Sequence, residues 1–407
     1  MNRDNHKDIE LGPLQVSPNG RYFTASNGEP FFWLGDTQWE LFRAFSTEDA
    51  GAVLEHRKRQ GFSAIQIMMT GVGDGCKPNL AGQTPWIHDD PNHPNEAYFR
   101  QVDAVIELAR QLGMVLVLGA FHQLQTHRIT PANARTYAKW IGRRYRETPN
   151  LIWASYPKAQ MEYLPVLREL AAGFQEGDAG RHLITVHPDP SPTSSSFIHS
   201  EPWLAFNMIQ PWQTYDLIPS MVSHDYALEP TKPTVMAEGG YEGVRARELQ
   251  TALAIRKQAY WSHLAGGHHS YGHDNNWVSP ASWKEWIESP GARHLSVYRA
   301  ILTSCREWWN LIPDPSILAD GAGAGFQANL AGRSASSDWV LVYYSGAATL
   351  SVRMDKVSSD STVEASWLDP RSGAKTLIGS FPNTGIRRFS TPDRWEDALL
   401  LVETSDR

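Results

Sequence analysis

From about residue 31 to residue 308, short apolar runs alternate with longer stretches of helical period. "FFWLGDT" (31–37) precedes "STEDAGAVLEHRKRQG" (46–61), which Ser46 or Thr47 opens as N-cap and Gly61 closes. "FSAIQIMMT" (62–70), "MVLVLGAF" (114–121), "LIWASYP" (151–157), "HLITVHP" (182–188), "LAFNMIQP" (204–211), "PTVMAEG" (233–239) and "GGHHSYG" (266–272) follow, each ahead of a helical or loop-and-helix segment. These are eight strand-then-helix units. Their strands are near-continuous apolar runs, as expected of parallel strands covered on both faces. The predicted class is α/β, closed as a (β/α)8 barrel.

After "PDPS" (313–316) the period changes. "SDWVLVYYSG", "ATLSVRM", "STVEASWLDPRSG", "AKTLIGSF" and "DALLLVE" are alternating runs parted by Gly, Pro, Asp and Ser turns. They predict a modest antiparallel β-sandwich, with a structural rather than catalytic role. Before Phe31, Asn19-Gly20 and Asn27-Gly28 mark hairpin turns. The expected organisation is a hairpin or cap segment at 1–30, a barrel at 31–312 and a β-sandwich at 313–407.

Composition narrows the partners. The net charge is -7, and the basic runs "HRKRQ" and "GRRYR" lie on amphipathic helices. Nothing favours nucleic acid or an anionic membrane. Two cysteines, Cys76 and Cys305, have no metal or disulfide spacing. No apolar run suits a signal peptide or a membrane span, so a cytoplasmic location is expected; a leader already removed would look the same. The chain has 16 tryptophans. They can fill a core, or stack on sugar rings.

A barrel of this kind carries its active site at the C-terminal ends of the strands. Asp36, Gln66, His122, His187, Gln210, Glu238 and Tyr271 fall there. Glu238, ending strand seven ahead of Gly239 and Gly240, is a carboxylate suited to attack an anomeric carbon or to activate water. The alternative is a glutamate paired with an arginine. Asp36 and Trp39 suit a sugar by accepting hydroxyl hydrogens and by stacking; the alternative for Asp36 is that it caps the next turn. Asn207, Trp212, Glu242 and His269 join them as candidate substrate contacts, and Glu242 could instead cap a helix. A mononuclear metal site could be assembled from His122, His187, His268, His269 and His273. No HExxH or paired carboxylate supports one, so no metal or other cofactor is expected. "GVGDG" (71–75) lacks the context of a nucleotide loop.

Taken together, "GEPFFWLGDTQWELF", "NEAYFRQVDAVIELARQLGM", "NLIW", "HLITVHP", "EPWLAFNMIQ", "KPTVMAEGGYEG" and "AYWSHLAGGHHSYGH" resemble the apiosidase-like glycoside hydrolases. "WLDPRSGAKTLIGSFPNTGIRRF" is similar to the collagen-binding-type β-sandwich that follows such barrels. The resemblance implies glycoside hydrolysis by two carboxyl groups, one after strand four and one ending strand seven. The second falls on Glu238. The first, an aspartate in the family, falls on Lys158, and the strand-three end "AFHQLQTHR" also departs from the family's Thr-Trp-Gly.

An ammonium is a poor general acid unless its pKa falls far below about 10.4, but Lys158 could bind a substrate carboxylate or sulfate. The acid could come instead from Asp189, Asp74 or His122. Asp189 ranks first because it adjoins a strand end, although it could serve only the turn "HPDPSP". The catalytic candidates are therefore Glu238, Asp189 and Lys158. The expected protein is a glycoside hydrolase, exo-acting, on a plant or bacterial oligosaccharide or glycoside. The alternatives are a carbohydrate-binding protein that has lost its acid, and a metal-dependent sugar isomerase or lyase.

Overall fold

A computed structural model describes residues 11–73, 77–156, 160–190, 193–244, 249–358 and 362–404. One sheet holds eight strands: β1 (Leu34–Thr37), β2 (Ala64–Met68), β3 (Val115–Gly119), β4 (Leu151–Ser155), β5 (Ile184–Val186), β6 (Asn207–Ile209), β7 (Thr234–Met236) and β8 (His268–Tyr271). Their order is β5-β4-β3-β2-β1-β8-β7-β6. The ladders β1–β2, β2–β3, β3–β4, β4–β5 and β7–β8 are parallel. Between the end strands β5 and β6, the Ala205 N–H donates to the Ile184 carbonyl at 2.8 Å and the Thr185 hydroxyl to the Phe206 carbonyl at 2.8 Å. The sheet thus comes close to closure as the barrel that the sequence predicts.

The chain forms two compact units, Met1–Gln210 with Gly272–Ile287, and Pro211–Tyr271 with Glu288–Arg407. In the first, three short strands (Gln15–Val16, Phe23–Thr24, Pro30–Phe31) make a small antiparallel sheet. Its Phe23 packs on Trp33 at 5.1 Å and on Phe206 at 5.0 Å. These two residues immediately precede β1 and β6, so the N-terminal segment covers the bottom of the barrel strands. Helix Thr47–Arg59 begins where the sequence places it, with the Ser46 side chain accepting the Asp49 N–H, and Gly61 beyond its end takes a positive φ of 86°. On β4, Trp153 stacks flat on Phe174 at 4.8 Å and donates its indole N–H to Asp178 at 2.7 Å. This satisfies the indole's one polar atom in the strand–helix layer.

In the second unit, helix Ala252–Leu264 lies beside a six-stranded antiparallel sheet and packs on helix Pro290–Ser304. Strand Trp339–Tyr344 of that sheet is buried along its whole length. Val340, Val342 and Tyr344 join the sandwich core. On the other face Tyr343 stacks on Tyr260 of the first helix at 4.8 Å. Trp261 donates its indole N–H to the Ala328 carbonyl at 2.8 Å, and the Lys257 ammonium donates to the Phe326 carbonyl at 2.9 Å. The sandwich therefore covers the helix that follows β7, which accounts for a six-residue apolar run where an alternating one would face water. No helix among the described residues is long and apolar enough to cross a membrane.

Candidate active site

In the first unit the C-terminal ends of the strands assemble an aromatic and imidazole wall. Tyr156, directly after β4, has its ring 4.5 Å from that of His187, 5.8 Å from Trp39 and 5.4 Å from His122, on which it stacks. Trp39 also meets His187 edge-on at 5.4 Å. Such a wall offers apolar ring faces with polar edges, a surface that suits sugar C–H groups and hydroxyls together. Trp39, His122 and His187 stand out in the sequence as candidate contacts; Tyr156 does not. Tyr156 immediately follows the strand, and that position is the signal that could have found it.

The two histidines are fixed tautomers. His122 Nδ1 accepts the Leu124 N–H at 3.2 Å, so Nε2 carries the proton. His187 Nδ1 lies 3.0 Å from the Pro188 carbonyl, so Nδ1 carries the proton there. Burial pushes the His122 pKa down to about 4, against the Gly73 carbonyl. Burial also pushes that of His187 down to about 3, against the Pro188 carbonyl and with help from His122. Neither imidazole is a proton donor near neutral pH; both are neutral hydrogen-bonding groups.

These values carry a stability prediction. In the second unit burial also holds His263 and His269 down to about 3. Each group is neutral when folded and takes up a proton on unfolding below its ordinary pKa of about 6.5. Its contribution is therefore complete above that pH and is lost as pH falls toward the folded value. Each should add up to ~1.4 kcal/mol per pH unit to the fall in unfolding free energy between about pH 6 and 4.5. Urea melts of the protein and of His187→Gln check this: the variant should show a shallower pH dependence, and an identical one would contradict the assignment.

Several predicted contacts lie elsewhere. The sequence puts Asp36 in the mouth, but the side chain is fully buried and turned to the helix layer, 2.7 Å from Arg57 Nε and 2.6 Å from Gln38 Nε2. Burial raises the Asp36 pKa against the pull of the Arg57 guanidinium. His269 likewise lies on the face of β8 toward helix Pro290–Ser304, its ring 6.3 Å from Tyr298. Asn207 is buried and bonded to His199 at 3.1 Å. Gln66 is buried on β2. Gln210, just after β6, is buried and its side-chain carbonyl has no hydrogen-bond partner among the described residues. Asp189 is half-buried after β5. Lys158 and Asp74 lie outside the described residues.

The second unit carries Glu238, 8% exposed, two residues beyond β7. Its backbone carbonyl faces the Trp212 N–H at 3.4 Å. Trp212 has a left-handed φ of 45° and leaves 37% of its surface exposed. Farther along the same loop Glu242 is engaged at both oxygens. Oε2 accepts the Tyr271 hydroxyl at 2.7 Å, and Oε1 accepts the Gly291 N–H, at the start of helix Pro290–Ser304, at 2.8 Å. Tyr271 also bonds Ser289 at 2.8 Å. Glu242 and Tyr271, expected to touch substrate, instead tie this loop to a helix N-terminus, where a carboxylate is favoured.

Gly239 and Gly240 also act otherwise than the sequence suggests. Neither has a positive φ. A Cβ on Gly239 would come within 1.9 Å of Gln258 Oε1, and one on Gly240 within 2.7 Å of Gln250 Oε1. The glycines are there for close approach, not for a left-handed turn. Among the described residues no group of three or more His, Cys, Asp or Glu side chains is placed to hold a metal ion.

Comparison with known proteins agrees with this architecture. The family described as "Apiosidase-like, catalytic domain" matches residues 17–310, and that described as "Putative collagen-binding domain of a collagenase" matches residues 312–403. A solved structure described as a glycoside hydrolase is 25% identical, with a TM-score of 0.90 over 98% of each chain. A glycoside hydrolase family 5 structure from Bacteroides vulgatus ATCC 8482 is 24% identical, with a TM-score of 0.90 over 98% of this chain and 94% of the other. No curated protein matches the chain. With a glycoside-hydrolase barrel and most of its length matched, the chain belongs to the apiosidase-like family.

Proposed function

We propose that this glycoside hydrolase removes a terminal sugar from a plant or bacterial oligosaccharide or glycoside, with Glu238 as its nucleophile or base. The observation that carries the reading is the placement of Glu238. It is a mostly buried carboxylate at the C-terminal end of a barrel strand, on a loop held at Glu238, Gly240 and Glu242 by Trp212, Gln258, Tyr271 and Gly291. A carboxylate fixed in this way meets the anomeric carbon, or the water that attacks it, without reorganising. Within the same unit, the Trp212 indole, 37% exposed, offers a face on which a sugar ring would stack.

The leaving oxygen needs a proton. Lys158 stands where the family carries an acid, and an ammonium near its ordinary pKa of about 10.4 seldom gives its proton up at neutral pH. His122 and His187 are neutral in that range. We assign the proton to Asp189 and leave Lys158 to bind an anionic group of the substrate. The test is a product screen over aryl pentosides, aryl hexosides, and plant and bacterial oligosaccharides. Release of a single sugar is expected. With Asp189→Asn, 2,4-dinitrophenyl glycosides should retain turnover while alkyl glycosides lose it; equal loss on both would remove Asp189 as the acid. Binding without turnover of any glycoside would identify a carbohydrate-binding protein instead.

A further inference from the structure

Glu238 sits on a short loop whose next two residues are glycines, and one side chain occupies the space those glycines leave. Gln258, on helix Ala252–Leu264, is 1% exposed. Its Oε1 accepts the Gly240 N–H at 2.8 Å and its Nε2 donates to the Gly240 carbonyl at 3.1 Å. A single amide thus satisfies both polar groups of Gly240, as a neighbouring strand would do. It leaves no room for a side chain at Gly239.

The helix that carries Gln258 is itself held from its far side. Arg256 forms an ion pair with Asp397 at 2.7 Å, Lys257 reaches the Phe326 carbonyl, and Trp261 reaches the Ala328 carbonyl. Position therefore passes from the sandwich to the helix, from the helix through Gln258 to Gly240, and from Gly240 over two residues to Glu238.

We infer that Gln258 is a positioning residue for Glu238; the inference rests on the proposed role of that carboxylate. Gln258 touches no reacting atom. It fixes the backbone from which Glu238 projects, and a displacement of about 1 Å at a reacting group can cost about a hundredfold in rate.

Gln258→Met keeps the volume and removes both hydrogen bonds. It should lower kcat on the best aryl glycoside of the screen by roughly ten- to a hundredfold, with KM within about threefold of wild type. Deuterium uptake in peptides spanning 237–244 should rise. Tyr344→Phe, which removes a buried bond to the Phe389 carbonyl inside the sandwich core and away from this helix, is the control for destabilisation alone and should keep kcat. If Gln258→Met does not fold, Gln258→Glu, which retains an acceptor for the Gly240 N–H and loses the donor, should show the same changes. Wild-type kcat or unchanged uptake in the folded variant, or an equal loss of kcat in Tyr344→Phe, would overturn the inference. Full activity of Glu238→Gln would overturn the role of Glu238 instead, and the uptake measurement would still report on the clamp.

Discussion

Glu238→Gln should lower kcat by about three orders of magnitude or more, equivalent to ~4 kcal/mol of transition-state stabilisation. The substitution keeps shape and removes only the charge and basicity that attack, or activation of water, requires. Little else should change. The carbonyl of residue 238 still meets the Trp212 N–H, and Gly240 and Glu242 are held by groups that the substitution does not touch. The melting temperature should stay near that of wild type and KM should change little. A variant that kept more than about a tenth of kcat, a loss of only ~1.4 kcal/mol, would end the assignment. The anomeric configuration of the sugar first released by the wild-type enzyme, followed by NMR, then separates the two roles: net retention identifies a nucleophile and net inversion a base.

The eight strand–helix units and the change of period near residue 313 are legible in the sequence, because both rest on where apolar residues recur along the chain. The directions of the strand-end side chains are not. A parallel strand covered on both faces is apolar on both, so the period-two signal that would tell inside from outside is absent. Asp36 illustrates this. Whether it faces the mouth or the helices is decided by Arg57, 21 residues later, on a helix that reads as amphipathic and solvated. The same ambiguity holds for His269, and for Tyr271 with Glu242, whose partners Ser289 and Gly291 lie far along the chain. Gln258 gives no signal at all. The helix around it is buried from Ala254 to Leu264, so its polar residues, Gln258 among them, cannot be sorted into an exposed face and a working one. Gly239-Gly240 is conspicuous, but the sequence does not distinguish a glycine needed for its φ from one needed for close approach.

The sandwich should prove inseparable from helix Ala252–Leu264, which it covers. Arg256 and Asp397 are each 1% exposed and make a two-pronged pair, at 2.8 Å through Nε and 2.7 Å through Nη2, and the Tyr343 hydroxyl adds a third bond to Asp397 at 2.9 Å. Removing one partner of such a pair leaves the other charge buried without compensation, at a cost of about 3–5 kcal/mol. Arg256→Met should therefore lower the melting temperature by several degrees. Arg256→Met combined with Asp397→Leu should recover much of that loss, because two apolar side chains of similar volume avoid the desolvation that the ion pair incurs. Deleting residues 313–407 should be worse than either, since Tyr260 and Trp261 would lose the surfaces they pack on and the barrel helices would present that apolar area to water. A truncated barrel that stayed soluble with an unchanged melting temperature would show that the sandwich is an appendage. If the ion pair instead acts as described, activity in Arg256→Met should fall further than the loss of fold accounts for. The same helix carries Gln258, so kcat measured well below the melting temperature separates loss of fold from loss of Glu238 alignment. A variant that is fully folded yet slow would mean that the sandwich reaches the chemistry through this one helix.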